Sequence, residues 1–159
     1  RAYKYQRARC LEPVFATLLQ RFATQIKEAR PWPTSDVIVT SLPMDADRLR
    51  ARGLDHASLL ADQVQQIILP QATRGQVLTR TRTVVANATL SEPTLRAANM
   101  KGVFACTQTT TSPVVLVDDV CTSGATAREA ARTLLGQGVP EVHLFTFASG
   151  VKKLASPYA

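Results

Sequence analysis

The sequence predicts an α/β fold, with a mainly parallel central sheet flanked by helices on both faces. Three observations predict it. Short runs at Val37–Thr40, Val103–Cys106, Val114–Val117 and Val142–Phe147 have the length and β-branched composition of strands. Segments of helical periodicity alternate with them, the order that produces parallel strands joined by crossover helices. The chain also has 159 residues, 45% of them hydrophobic and 19% charged, which is a globular composition sized for one ordinary domain.

In chain order, Leu11, Val14, Phe15, Leu18, Leu19, Phe22 and Ile26 recur at helical spacing, with Pro13 tolerable in the first turn. Pro31-Trp32-Pro33 ends that helix, and Val37–Thr40 reads as a buried strand. A polar, Arg-rich stretch follows from Pro43 to Gly53. Ala57, Leu60, Ala61, Val64, Ile67 and Ile68 mark a second amphipathic helix, stopped by Pro70, and Val77–Thr79 reads as a short strand. Residues 81–95, rich in Thr, Asn and Arg, read as an exposed loop, and Ser91-Glu92-Pro93 opens a short helix through Ala98. Ala125–Leu135 is the last helix, closed by Gly136 or Gly138. There is no internal repeat. The expected organisation is a single domain over 1–159, with a helical or hood segment at 1–35, a core at 36–150 and a tail at 151–159.

Charge and cysteine content narrow the function classes. Nineteen Lys and Arg against 12 Asp and Glu give a net charge of +7, which favours phosphates, nucleotides or nucleic acid as partners. The longest apolar run is far short of the ~20 residues of a membrane helix, so no membrane span is expected. Cys10, Cys106 and Cys121 contain no C-x-x-C pair, which argues against a disulfide scaffold or zinc ribbon and for a reducing cytoplasm. Arg1 in place of Met suggests a processed or trimmed chain, and no signal-peptide pattern is present.

The stretch Val114 to Thr126, V-V-L-V-D-D-V-C-T-S-G-A-T, carries the chemistry. A buried strand runs out into two adjacent carboxylates, then a short hydroxyl- and Gly-containing loop, then a helix. Open α/β sheets place ligands at the C-terminal ends of their strands. Gly124 lets backbone approach a ligand, the helix start offers free N–H groups and positive dipole, and Thr122, Ser123 and Thr126 add hydroxyl donors. These features suit a phosphate monoester. Asp118 and Asp119, at what is expected to be a solvent-facing strand end, can accept from a diol or face hydrated Mg²⁺. The simpler alternative is a helix cap made by Thr122 or Ser123 with no ligand at all.

These residues resemble the phosphoribosyl-pyrophosphate (PRPP) motif of type I phosphoribosyltransferases. Three further segments resemble the ComF/GntX branch of those proteins: Lys4-Tyr5 with Arg7 or Arg9, the P-x-x-x-x-R-x-x-x-R-G pattern from Pro43 to Gly53, and Arg96 to Phe104 with Asn99 and Gly102. The chain departs from that branch at Leu54-Asp55-His56, where F-N-Q is usual, and lacks its N-terminal zinc ribbon.

The resemblance implies that Asp118 and Asp119 contact ribose hydroxyls and that Cys121, Thr122, Ser123, Gly124, Ala125 and Thr126 hold a 5′-phosphate. It implies that Ser41, Leu42, Pro43 and Met44 help hold pyrophosphate, with Mg²⁺ as cofactor. Arg48, Arg52 and Lys101 are candidate pyrophosphate partners, because cationic forks match phosphate oxygens. It further implies either phosphoribosyl transfer or a non-catalytic sensor or DNA-handling role in natural transformation, with single-stranded DNA or DNA-processing proteins as partners, and a homodimer as a further possibility. Arg80 and Arg82 extend the anion-binding surface. His56 reads as a solvated surface group, Cys121 as a packing residue, His143 as structural and Trp32 as a packing plug.

Overall fold

A computed structural model describes residues 11–28, 32–33, 36–83 and 98–150. The expected K-Y-x-x-R opening, Cys10, Pro31, the helix opening at Ser91, Arg96 and the 151–159 tail lie outside these residues.

Helix α1 spans Leu11–Glu28 and buries Leu19, with Phe15, Ala23 and Ile26 packed beside it at the expected helical spacing. Burying one such leucine contributes about 2–3 kcal/mol. Trp32 closes this region as a plug, its indole N–H donating to the Ile26 carbonyl at 2.8 Å. Strand β1 is Ile38–Ser41, and it runs parallel to both its neighbours. The central sheet has the order β2-β1-β5-β6, where β2 is Thr73–Arg74, β5 is Val114–Cys121 and β6 is Val142–Ser149.

Each of Val114, Val115, Leu116 and Val117 is buried, because β5 is covered on both faces. Val114 and Leu116 point into one core with helix α4, Ala125–Leu135, and the antiparallel pair β3, Leu78–Arg80, and β4, Phe104–Cys106. Val115 and Val117 point into the other, with α1 and helix α3, His56–Gln63. This two-residue alternation is what a pleated strand between two helical layers requires. No described helix is long and apolar enough to cross a membrane.

Three local features depart from the expectations. The Arg-rich stretch contains a helix, α2, at Ala46–Arg52, which buries no residue and therefore leaves no apolar periodicity to read. Its signals are its ends: Asp45 accepts from the Asp47 and Arg48 N–H groups, and Gly53, at φ 74°, donates to the Leu49 carbonyl. The second amphipathic segment is α-helical only to Gln63. It continues as a π turn over Val64–Ile68, which keeps Val64 and Ile68 buried together. Strand β2 is only two residues long, and Arg74 anchors it through Asp62, Ser58 and the Val39 carbonyl.

Candidate functional site

The register Ser41↔Val117 places the C-terminal exits of β1 and β5 side by side, and the Leu42 N–H donates to the Val117 carbonyl at 2.8 Å. Both exits open onto one cleft of about 450 Å³. Its floor is Asp118, Asp119 and Val120, with Thr122 and Thr126 on the α4 side. The same cleft is lined by Leu42, Pro43, Met44 and Asp45 from the β1 exit, by Arg48 and Arg52 of α2, and by Arg80 of the hairpin.

The diacid is not freely solvated, contrary to the expected solvent-facing strand end. Asp118 and Asp119 are half-buried, because β5 extends through them to Cys121 and stays paired with β6. Burial, reinforced by the adjacent Asp119 charge and a side-chain hydrogen bond to it, pushes the Asp118 carboxyl up to about 7, with Asp55 adding a smaller effect. Asp119 Oδ1 accepts from the Val120 N–H at 2.9 Å, and its Oδ2 lies 3.8 Å from His56 Nδ1.

The loop after β5 is left open. Gly124 occupies the N-cap of α4 at φ 72°, a conformation glycine adopts without strain, and as a glycine it brings no capping side chain of its own. Neither Thr122 nor Ser123 occupies the N-cap position itself, but the Ser123 hydroxyl accepts from the Ala125 N–H at 3.4 Å, so one donor of the first turn is already engaged. The Arg128 guanidinium braces the turn by donating to the Ser123 carbonyl at 2.7 Å. A helix start with a glycine at its entrance presents its remaining N–H groups to an incoming anion.

Other sequence-selected residues fall outside the cleft lining. Ser41 is buried with its hydroxyl donating to Gln76 Oε1 at 2.9 Å. Cys121 is buried beneath the loop, and burial raises its thiol pKa, with the Asp118 charge adding to the effect. Lys101 is exposed on the turn before β4, near Glu129, whose carboxylate accepts from the Gly102 N–H. Ser123, Gly124 and Ala125 build the loop without lining the cleft wall.

Asp45 and His56 gain importance that sequence alone did not give them, and Arg80, read there as extending an anion-binding surface, lines the cleft. Asp45 caps α2 and faces Arg80, which is part of why its carboxyl sits below the usual range despite burial. Arg80 stacks over Phe104 at 5.5 Å, and its Nε is buried with no hydrogen-bond partner. His56 is half-buried beside Asp119 rather than solvated. Its local signal, Asp55 capping Ser58, marks a helix start but not what the helix start faces.

No family model and no curated protein matches this sequence. Among solved structures, hypoxanthine phosphoribosyltransferase from Staphylococcus aureus aligns in a tetragonal crystal form with a TM-score of 0.56 at 9% identity, covering 91% of this chain and 70% of that one. Its orthorhombic form aligns at 0.52 and 10% identity with the same coverage. The chain therefore has the type I phosphoribosyltransferase fold.

Proposed function

We propose that this chain binds PRPP in the cleft and transfers its phosphoribosyl group to an acceptor with release of pyrophosphate. The observation that carries the reading is the Asp118–Asp119 pair sharing one cleft with Thr122, Thr126, Arg48 and Arg52, at the ends of two parallel strands. The 5′-phosphate faces Thr122 and Thr126, the residues of this loop and helix start that line the cleft. The ribose hydroxyls face the diacid, and pyrophosphate faces Arg48 and Arg52 beyond Pro43.

The donor set fits Mg²⁺ only as a shared ion. No cluster of three or more His, Cys, Asp or Glu side chains able to hold a metal occurs among the described residues. Mg²⁺ keeps several waters and is bound through one or two carboxylates together with substrate phosphates. Asp118 and Asp119 supply those carboxylates, and when bound the ion would neutralise charge on departing pyrophosphate. The protein's own part is positioning and charge: Arg48 and Arg52 stabilise the leaving group while the diacid fixes the sugar as positive character grows at C1. Arg forks suit this role because they match phosphate oxygens two at a time.

The resemblance to the ComF/GntX branch supports placing this activity in bacterial DNA uptake, in the cytoplasm. The same resemblance carries a second reading, in which the cleft senses PRPP while the chain meets single-stranded DNA or DNA-processing partners; the net charge of +7 fits both readings. Turnover separates the two. Incubation with PRPP, Mg²⁺ and a panel of nucleobase and amine acceptors should release pyrophosphate well above the rate without protein. Tight PRPP binding with no pyrophosphate release from any acceptor would sink the transferase reading and leave the sensor.

A further inference from the structure

We infer that His56 is a positioning residue for the diacid, its Nδ1–H orienting the Asp119 carboxylate toward the hydroxyls of a bound sugar, an inference that rests on the reading above. His56 is the first residue of α3, and its backbone is held there by Asp55, whose carboxylate accepts from the Ser58 N–H at 3.0 Å. That carboxylate is thereby engaged in capping. The imidazole faces Asp119 instead, with Nδ1 3.8 Å from Oδ2 and side-chain exposures of 19% and 24% for His56 and Asp119.

The other ring nitrogen settles which way the imidazole is used. Nε2 is buried and has no hydrogen-bond partner. A neutral imidazole carries one N–H, and a buried donor with nothing to accept it is costly. Nε2 is unpaired in either tautomer, but only a proton on Nδ1 faces an acceptor, the Asp119 carboxylate, and so the proton is placed there. Asp119 is then approached from two directions, by the Val120 N–H on Oδ1 and by His56 on Oδ2. Two fixed donors orient the carboxylate plane and leave further lone pairs for ligand hydroxyls. The 3.8 Å separation is longer than a hydrogen bond, and such contacts in ligand-free sites tighten when the ligand arrives.

The test compares His56→Leu, His56→Asn, Asp119→Asn and the double variant His56→Leu with Asp119→Asn. PRPP affinity is measured with Mg²⁺, and melting temperature serves as the folding control. His56→Leu should weaken PRPP binding about tenfold, the scale seen when a residue orienting a ligating group is removed. His56→Asn, whose amide N–H replaces Nδ1–H, should recover to within about threefold of wild type on the same scale. In the Asp119→Asn background, His56→Leu should cost nothing further. Equal losses for Leu and Asn, or an undiminished loss in the Asp119→Asn background, would overturn the inference in favour of simple packing. Failure of the wild type to bind PRPP would be a failure of the functional reading instead. The ligand-free ¹⁵N spectrum then decides on His56 alone: a protonated Nδ1 whose shift moves in Asp119→Asn supports the pairing, and a protonated Nε2 or an unmoved shift overturns it.

Discussion

Two strand-to-helix junctions follow adjacent parallel strands beside one cleft, and they are finished in opposite ways. At the exit of β1, Asp45 turns back to accept from the Asp47 and Arg48 N–H groups, so the start of α2 satisfies itself. At the exit of β5, glycine stands at the same position and brings no side chain to the start of α4, where only the Ala125 N–H is recorded with a side-chain acceptor, the Ser123 hydroxyl at 3.4 Å. A protein gains about 1 kcal/mol from capping a helix start, so a helix that forgoes a side chain at the N-cap while lining a cleft leaves its remaining donors for something else. The closed junction supplies arginines from a fixed helix. The open one supplies backbone N–H groups beside the diacid.

The largest expected effect breaks the open side outright. Replacing both Asp118 and Asp119 with Asn should reduce PRPP affinity by at least about a hundredfold, since each removed charge-assisted contact is worth ~1.5–3 kcal/mol. Circular dichroism should remain that of the wild type, and an unfolded double variant would show that the pair is structural. Gly124→Val comes next. A branched side chain at φ 72° is strained and crowds the phosphate approach, so affinity measured by calorimetry should fall about tenfold, with a stability loss of ~1–3 kcal/mol.

A third effect concerns stability alone. The folded Asp118 carboxyl titrates near 7 instead of 3.8, so the native state holds a proton that the unfolded chain has already released. Stability from this group is full below about pH 3.8 and is lost as pH rises to about 7. Asp118→Asn removes that loss. Relative to wild type, the variant should gain on the order of 2 kcal/mol between pH 5 and pH 8, read from denaturant midpoints at the two pH values. An identical wild-type-to-variant difference at both pH values would contradict the buried-pair description. The smallest effect falls on the closed side: Asp45→Ala should cost about 1 kcal/mol of stability and leave ribose 5-phosphate binding unchanged, in melting and titration experiments. A loss of ribose 5-phosphate affinity in that variant would mean that the two junctions do not divide the work this way.

What the sequence reveals of this molecule follows from how local each signal is. Val114–Val117 and Ala125–Leu135 are recognisable because a covered strand and an amphipathic helix write their burial into consecutive residues. The diacid and its loop are recognisable for the same reason, being contiguous. Helix α2 hides because nothing in it is buried, leaving only its caps as evidence. Strand β2 hides because two residues carry no period. The approach of His56 to Asp119 belongs to no local pattern, since it joins residues from different elements. A contiguous diacid and loop are therefore legible in sequence, and the approach of a side chain from another element is not.

The most direct measurement is a calorimetric titration of the chain with PRPP, with and without Mg²⁺, alongside ribose 5-phosphate. Mg²⁺-dependent PRPP binding, tighter than that of ribose 5-phosphate, is the expected result: it requires a phosphate at the open helix start and a pyrophosphate opposite. Absence of binding by either ligand would contradict it, and would make the glycine-entered start of α4 a feature of the fold without a ligand.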